Sequence, residues 1–208
     1  MAIVDEDHYD KIYKILIMGD TNVGKTSLLL RYTENDFSSE GIATLGVDVK
    51  NKFLSYEQKK IRLDIWDTAG QERFKGLAKS YIKGGHGFVF VFSLTDKNSF
   101  YNLKTWINDV KSISSNTYKM IVIGNKNDCK NVREITEKNL NDFKEKYDVK
   151  VFEASAKTGE GVEEAFNALV QLLYECQEIG DTDENEDDRS YSLDKGPLTK
   201  KKKQNCGC

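Results

Sequence analysis

Three runs of consecutive apolar residues constrain the fold more than any other feature: KILIM (residues 14–18), FVFVF (88–92) and MIVIG (120–124). A strand with one wet face alternates apolar and polar side chains. Runs that are apolar on successive residues belong to strands covered on both faces. Segments of helical period lie between them, and strand–helix alternation of this kind makes a parallel sheet. Strands are expected at residues 11–18, 47–55, 61–66, 87–94, 119–124 and 150–153. Helices are expected at 24–33, 77–82, 99–112, 136–147 and 162–176. Residues 47–66 break the pattern: two strands separated by residues 56–59, with no helix between them, form an antiparallel hairpin at the sheet edge. The expected fold class is α/β, a mostly parallel six-stranded sheet with one antiparallel edge strand and helices on both faces.

The periodic region, residues 9–176, follows a short extension (1–8) and is long enough to fold as one domain without disulfides or a structural metal. Composition changes at residue 177. Glu178, Asp181, Asp183, Glu184, Glu186, Asp187 and Asp188 form an acidic run, followed by Arg189, Lys195 and Lys200 to Lys203 and then by QNCGC. Such a segment cannot bury enough apolar surface to offset its ordering entropy, so residues 177–208 are expected to be disordered. The net charge of −3 is close to neutral, which argues against a nucleic-acid partner. The run at 88–92 is far too short to cross a bilayer. Asp5, Glu6 and Asp7 stand where a signal peptide needs positive charge. Cys129, Cys176, Cys206 and Cys208 form no CxxC pair, as expected of a reducing, cytoplasmic compartment.

Chemistry gathers at the ends of the expected strands. Gly19-Asp20-Thr21-Asn22-Val23-Gly24-Lys25-Thr26 follows one strand and opens a helix, in the spacing GxxxxGK[ST]. Backbone amides of such a loop, Ser27 included, and the helix N-terminus present positive charge to phosphate oxygens. Lys25 is expected to reach the β- and γ-phosphates, and the Thr26 hydroxyl to ligate Mg²⁺. Asp67-Thr68-Ala69-Gly70-Gln71 places a carboxylate at a strand end, where it would serve the same Mg²⁺. Gly70, lacking Cβ, can bring its N–H close to a γ-phosphate. Asn125-Lys126-Asn127-Asp128 follows the fifth strand. The Asp128 carboxylate can accept from the N1–H and 2-amino groups of guanine. Adenine lacks both donors, a mismatch worth about 10⁴-fold in discrimination. Ser155-Ala156-Lys157 follows the last strand and completes the base pocket. Strand C-terminal ends are where an open parallel sheet binds ligand. An ATPase or nucleotide kinase is disfavoured by Asp128 and by the lack of an arginine-rich lid.

With GDTNVGKT, TLGVDVK, LDIWDTAGQERF, GNKND, ASAK and a terminal Cys-x-Cys in this order, the sequence resembles Ras-superfamily small GTPases, and among them the Rab branch, from Tyr9 to Cys208. The resemblance implies a three-layer P-loop GTPase (Ras-like) fold and further roles. Thr44 matches a threonine that ligates Mg²⁺ only when a γ-phosphate is present. Gln71 matches the residue that orients the attacking water. Phe37 matches an aromatic that packs on guanine; from the residues alone it reads as ordinary packing. Lys126 and Lys157 offer aliphatic stems to the base, and the Ala156 N–H faces guanine O6. Val49, Trp66 and Tyr81 match an effector-selecting triad, although Trp66 and Tyr81 read equally well as packing between the hairpin and residues 70–82. Cys206 and Cys208 match a doubly geranylgeranylated terminus, which Lys200 to Lys203 would support at an anionic leaflet.

The implied activity is slow GTP hydrolysis by a monomer that recruits effectors for vesicle traffic. The implied partners are GTP and GDP, an exchange factor, a GTPase-activating protein, a GDP-dissociation inhibitor, the prenylation machinery and GTP-dependent effectors. The protein would cycle between cytosol and the cytoplasmic face of internal membranes. No arginine lies between Phe37 and Thr44 to act as a finger in cis. Hydrolysis is therefore expected at about 10⁻⁴–10⁻³ s⁻¹, with about 10³–10⁵-fold to come from a partner. The alternative is a GTP-dependent scaffold or Ras-type signalling switch with negligible hydrolysis. Thr21, Asn22, Gly41, Val49 and Ile82 depart from the residues usual in the family at their positions.

Overall fold

A computed structural model of the chain describes residues 9–38, 46–68, 80–114 and 117–180. Six strands, β1 (Lys11–Met18), β2 (Val47–Tyr56), β3 (Lys59–Thr68), β4 (Gly87–Ser93), β5 (Lys119–Asn125) and β6 (Lys150–Glu153), form one sheet in the order β2-β3-β1-β4-β5-β6. Every neighbouring pair is parallel except β2–β3, the antiparallel hairpin expected at the edge. The helices are α1 (Lys25–Glu34), α2 (Lys97–Ile113), α3 (Glu137–Tyr147) and α4 (Val162–Gly180). Of the helix expected at 77–82, residues 80–82 are helical and 77–79 lie outside the described residues.

Element boundaries differ from the sequence reading in two informative places. The β2–β3 ladder continues to the pair Tyr56↔Lys59, because Glu57 and Gln58 both adopt the left-handed conformation (φ 48° and 64°) and turn the chain in two residues. That two-residue geometry suits the twist of a hairpin. Helix α4 runs four residues past Cys176 into the segment expected to be disordered. Its extension, Gln-Glu-Ile-Gly, begins with good helix formers, and helical backbone needs no apolar partner to continue for one turn.

The two faces of the sheet carry separate cores. On one, Ile15 and Ile17 of β1 and Leu63 of β3 pack against Leu28 of α1 and Phe166 and Leu169 of α4. On the other, Phe88, Phe90 and Phe92 of β4 pack against Leu103 and Ile107 of α2 and Leu140 of α3. Alternate β4 residues serve opposite cores, and all seven are buried, which is the physical content of the FVFVF run. The helices are closed by local chemistry. Asp96 Oδ1 caps α2 at Asn98 N (2.9 Å), and Thr136 and Asn139 form a reciprocal capping box on α3. Among the described residues, no helix is long and apolar enough to cross a membrane.

One core residue sits uneasily. Tyr32 of α1 stacks on Phe166 of α4 with ring centroids 4.1 Å apart, yet its buried hydroxyl has no hydrogen-bond partner among the described residues. Burial, with the nearby Glu163 charge, pushes the phenol well above its ordinary pKa, so it stays neutral. A buried hydroxyl without a partner costs free energy that a phenyl ring would not. Tyr32→Phe is expected to stabilise the fold by about 1 kcal/mol, read from urea unfolding; a loss of stability would show that the hydroxyl is satisfied.

Candidate functional site

The loop joining β1 to α1 is shaped by what a Cβ would strike. At Gly19 (φ 149°) a Cβ would run into the Val91 carbonyl oxygen of β4. At Gly24 (φ 91°) it would strike the Asn125 side-chain amide at the end of β5. Asn22 takes the left-handed conformation (φ 62°), which asparagine tolerates better than most residues. Gly24 N-caps α1 without a side-chain acceptor, and no acidic side chain stands in the first turn, where Thr26 and Ser27 lie. The helix therefore opens as an anion-binding terminus.

Lys25 is only 6% exposed, and its Nζ donates to the Asp20 carbonyl at 2.8 Å. Burial lowers its pKa to about 8, against the pull of Asp67 and Asp20. The Thr26 hydroxyl donates to Oδ2 of Asp67, which is wholly buried near the end of β3. The next residue, Thr68, donates from Oγ1 to the Ile17 carbonyl at 2.8 Å, tying the end of β3 to β1. This hydroxyl–carboxylate pair beside a phosphate loop is a hard-oxygen donor set. It fits Mg²⁺, an ion that keeps most of its shell for water and substrate phosphates. Asp20, by contrast, contributes only backbone to the loop. Its carboxylate turns outward to α2, accepting from Asn102 Nδ2 (2.7 Å) and Trp106 Nε1 (2.8 Å).

The base side is built from two loops. Asp128 Oδ1 accepts from Ser155 Oγ at 2.7 Å, and that hydrogen bond holds the carboxyl below its usual pKa, which favours the ionised, acceptor form. Lys126 adopts a left-handed conformation (φ 67°) in the same loop. Asn125 is a brace between halves of the site: its Nδ2 donates to the Val23 carbonyl at 2.8 Å, and its Oδ1 accepts from Ala156 N at 3.1 Å. The Ala156 N–H, expected to face guanine O6, is thus directed to Asn125 in this structure. Phe37 is half-buried against the α1–α4 core.

Arg31 escaped the sequence reading. From the last turn of α1 it donates through Nε to the Ala156 carbonyl (2.8 Å), through Nη2 to the Lys157 carbonyl (3.0 Å) and through Nη1 to the Asn35 carbonyl (2.9 Å). The Ala156 and Lys157 acceptors lie 125 and 126 residues away, and no local pattern signals them. Arg133 was missed too. It forms a bidentate pair with Glu153 (both 2.6 Å), linking the turn after Asp128 to β6.

Val49 and Trp66 pair across β2–β3, and Trp66 lies 5.5 Å from Tyr81 by ring centroids, with Lys14 Nζ over its indole. The three form one contiguous patch. Trp66 and Tyr81 are half-buried and Val49 is exposed, so both readings of the aromatics, as packing and as surface, describe part of what they do. Ile82 is buried in the β4 core, which explains an apolar side chain there. Gly41, Thr44, Gly70, Gln71, Cys206 and Cys208 lie outside the described residues.

A family model described as the Ras family matches residues 14–175. Among similar proteins, the Ras-related protein Rab-13 of Mesocricetus auratus is 34% identical over 198 residues, covering 95% of this chain and 97% of that protein. The GTP-binding protein ypt2 of Schizosaccharomyces pombe is 41% identical, covering 79% of this chain and 82% of its own. The Ras-related protein RABD2b of Arabidopsis thaliana is 38% identical with the same coverage.

The depressed Lys25 pKa has a measurable consequence. An anion beside Nζ favours the ammonium form, so binding a polyphosphate raises this pKa from about 8. Well below pH 8 the lysine is already charged and no proton is taken up. At pH 8, GDP binding is expected to take up about half a proton, and affinity is expected to fall as pH rises further. Calorimetry in buffers of different ionisation enthalpy measures that uptake; none at pH 8 would mean Lys25 is fully charged before binding.

Proposed function

Because the chain belongs to the Ras family of small GTPases, and within it to the Rab branch, we propose that it binds GTP, hydrolyses it slowly and, while GTP-bound, recruits effectors in vesicle traffic. The observation that supports this best is the Asn125 brace. One buried side chain holds Val23 of the phosphate loop and Ala156 of the base loop, so a phosphate cradle and a guanine-selective carboxylate are kept in register. A ligand that satisfies both is a guanosine polyphosphate.

Each residue then has a task. Loop amides and the α1 N-terminus receive phosphate oxygens, and Lys25 supplies a cation with little water to shed, since it is already buried. Thr26 and Asp67 would hold Mg²⁺, with Thr44 joining them in the GTP state; the ion's contribution is to neutralise charge on the β- and γ-phosphate oxygens. Asp128 accepts from the guanine N1–H and 2-amino groups, with Ser155 fixing its orientation. Lys126, Lys157 and Phe37 flank the base. Gln71 orients water, and Gly70 and Thr44 sense the γ-phosphate, so its loss releases both segments together. Val49, Trp66 and Tyr81 lie on the effector side. Exchange, activating and GDP-dissociation-inhibitor proteins would set the pace of the cycle, and prenylated Cys206 and Cys208 would hold the GTP form on the cytoplasmic face of an internal membrane.

Single-turnover hydrolysis by the purified full chain tests the timer reading. A rate of about 10⁻⁴–10⁻³ s⁻¹ is expected, and one above about 10⁻¹ s⁻¹ would contradict it. Asp128→Asn presents one acceptor and one donor, matching xanthine, which carries a 2-oxo group where guanine carries 2-amino. The variant is expected to prefer xanthosine over guanosine diphosphate in competition, and retained guanine preference would displace Asp128 from the base. In cells, the Cys206→Ser/Cys208→Ser form is expected in the cytosolic fraction and the parent form on membranes. Equal distribution would remove the lipid anchor from this account.

A further inference from the structure

The loop that must accept several phosphate charges carries an acidic residue, Asp20, immediately after its first glycine. A free carboxylate there would repel the ligand. Instead both oxygens are taken by one helix: Asn102 Nδ2 donates to Oδ2 at 2.7 Å and Trp106 Nε1 to Oδ1 at 2.8 Å. Asn102 and Trp106 are four residues apart on α2, hence on one face of it. The helix is itself anchored, because Leu103 and Ile107 are wholly buried and Ser99 Oγ accepts from Ser93 N of β4 at 3.0 Å. The backbone of the clamped residue reaches the site directly, since the Asp20 carbonyl accepts from Lys25 Nζ at 2.8 Å.

We infer that Asn102 and Trp106 are positioning residues for nucleotide retention: by clamping the Asp20 carboxylate they hold its charge away from the phosphates and keep its carbonyl on Lys25. Neither side chain need touch nucleotide. The clamp acts through the loop in two ways. Two N–H donors offset the carboxylate charge, and a side chain fixed at both oxygens limits rotation of the peptide whose carbonyl orients the ammonium. It also makes α2, on the face of the sheet away from α1 and α4, part of the apparatus that determines how long nucleotide stays.

This inference rests on guanine-nucleotide binding, and dissociation of a fluorescent GDP analogue from the Mg²⁺-loaded full chain, chased with excess GTP, separates the two. Trp106→Phe keeps an aromatic ring and removes only the donor; Asn102→Ala changes an exposed side chain. Each is expected to speed GDP release by roughly tenfold or more, the scale of a hydrogen bond to a charged group. In the Asp20→Ala background, Trp106→Phe is expected to add less than about twofold, because the acceptor is already gone. Ile107→Val, which loosens the same helix without touching Asp20, is expected to change release by less than about twofold in either background. Release within about twofold of the parent for both Trp106→Phe and Asn102→Ala would overturn the inference. So would an equal effect of Trp106→Phe with and without Asp20, or acceleration by Ile107→Val as large as that by Trp106→Phe. Failure of the parent chain to bind GDP at all would instead overturn the functional reading.

Discussion

Burial of β4 on both faces is the constraint from which the rest of this structure follows. With Phe88, Phe90 and Phe92 committed to one core and Val89 and Val91 to the other, neither face of the central sheet is free for a ligand. Chemistry is confined to the strand ends, and the parallel arrangement brings the C-terminal ends of β1, β3, β4 and β5 to one rim. The phosphate loop is pressed against that rim so closely that Gly19 meets the Val91 carbonyl and Gly24 the Asn125 side chain. The glycines of the motif therefore answer to two demands, closeness to phosphate and closeness to the sheet.

A site assembled at the ends of several strands needs something other than the sheet to keep its parts in register. Buried or half-buried polar side chains do this. Asn125 joins the phosphate loop to the base loop, Arg31 ties α1 to the Ala156 and Lys157 carbonyls, Thr68 ties β3 to β1, and Ser155 aims Asp128. Each connects elements far apart in the chain, through backbone carbonyls, the Ala156 N–H or a single carboxylate oxygen. The result is a preorganised site in which Lys25 is desolvated before any ligand arrives. Asp20 is the exception within the loop, an anion where anions must bind, and it is managed by transfer to α2.

Fold class, strand order of appearance, the edge hairpin and the residues of the nucleotide motifs were legible in the sequence. Period and spacing report on them directly. Helix ends were less legible: α4 continues past the change in composition at residue 177, because one further turn that begins with good helix formers needs no core. The roles of Asn125, Asp20 and Ala156 were only partly legible. All three lie within recognisable motifs, but the hydrogen bonds of their side chains or amides go to Val23, to Asn102 and Trp106, and to Asn125. Arg31 was not legible at all, since an arginine near the end of a helix looks like any solvated surface cation.

By itself, then, the sequence determined that a mostly parallel sheet with buried central strands would form and that residues of the kind that suit phosphate and guanine would follow its strands. Those properties reside in local order: consecutive apolar residues, a glycine spacing, an acid two residues after a lysine. Only the tertiary structure decided which partner each polar side chain takes, and so which motif residues face the ligand and which hold the loops. The pairings that hold the loops span from 27 residues (Ser155 with Asp128) to 126 (Arg31 with Lys157). A hydrogen bond forms on distance and angle alone, and neither exists until the two cores have packed.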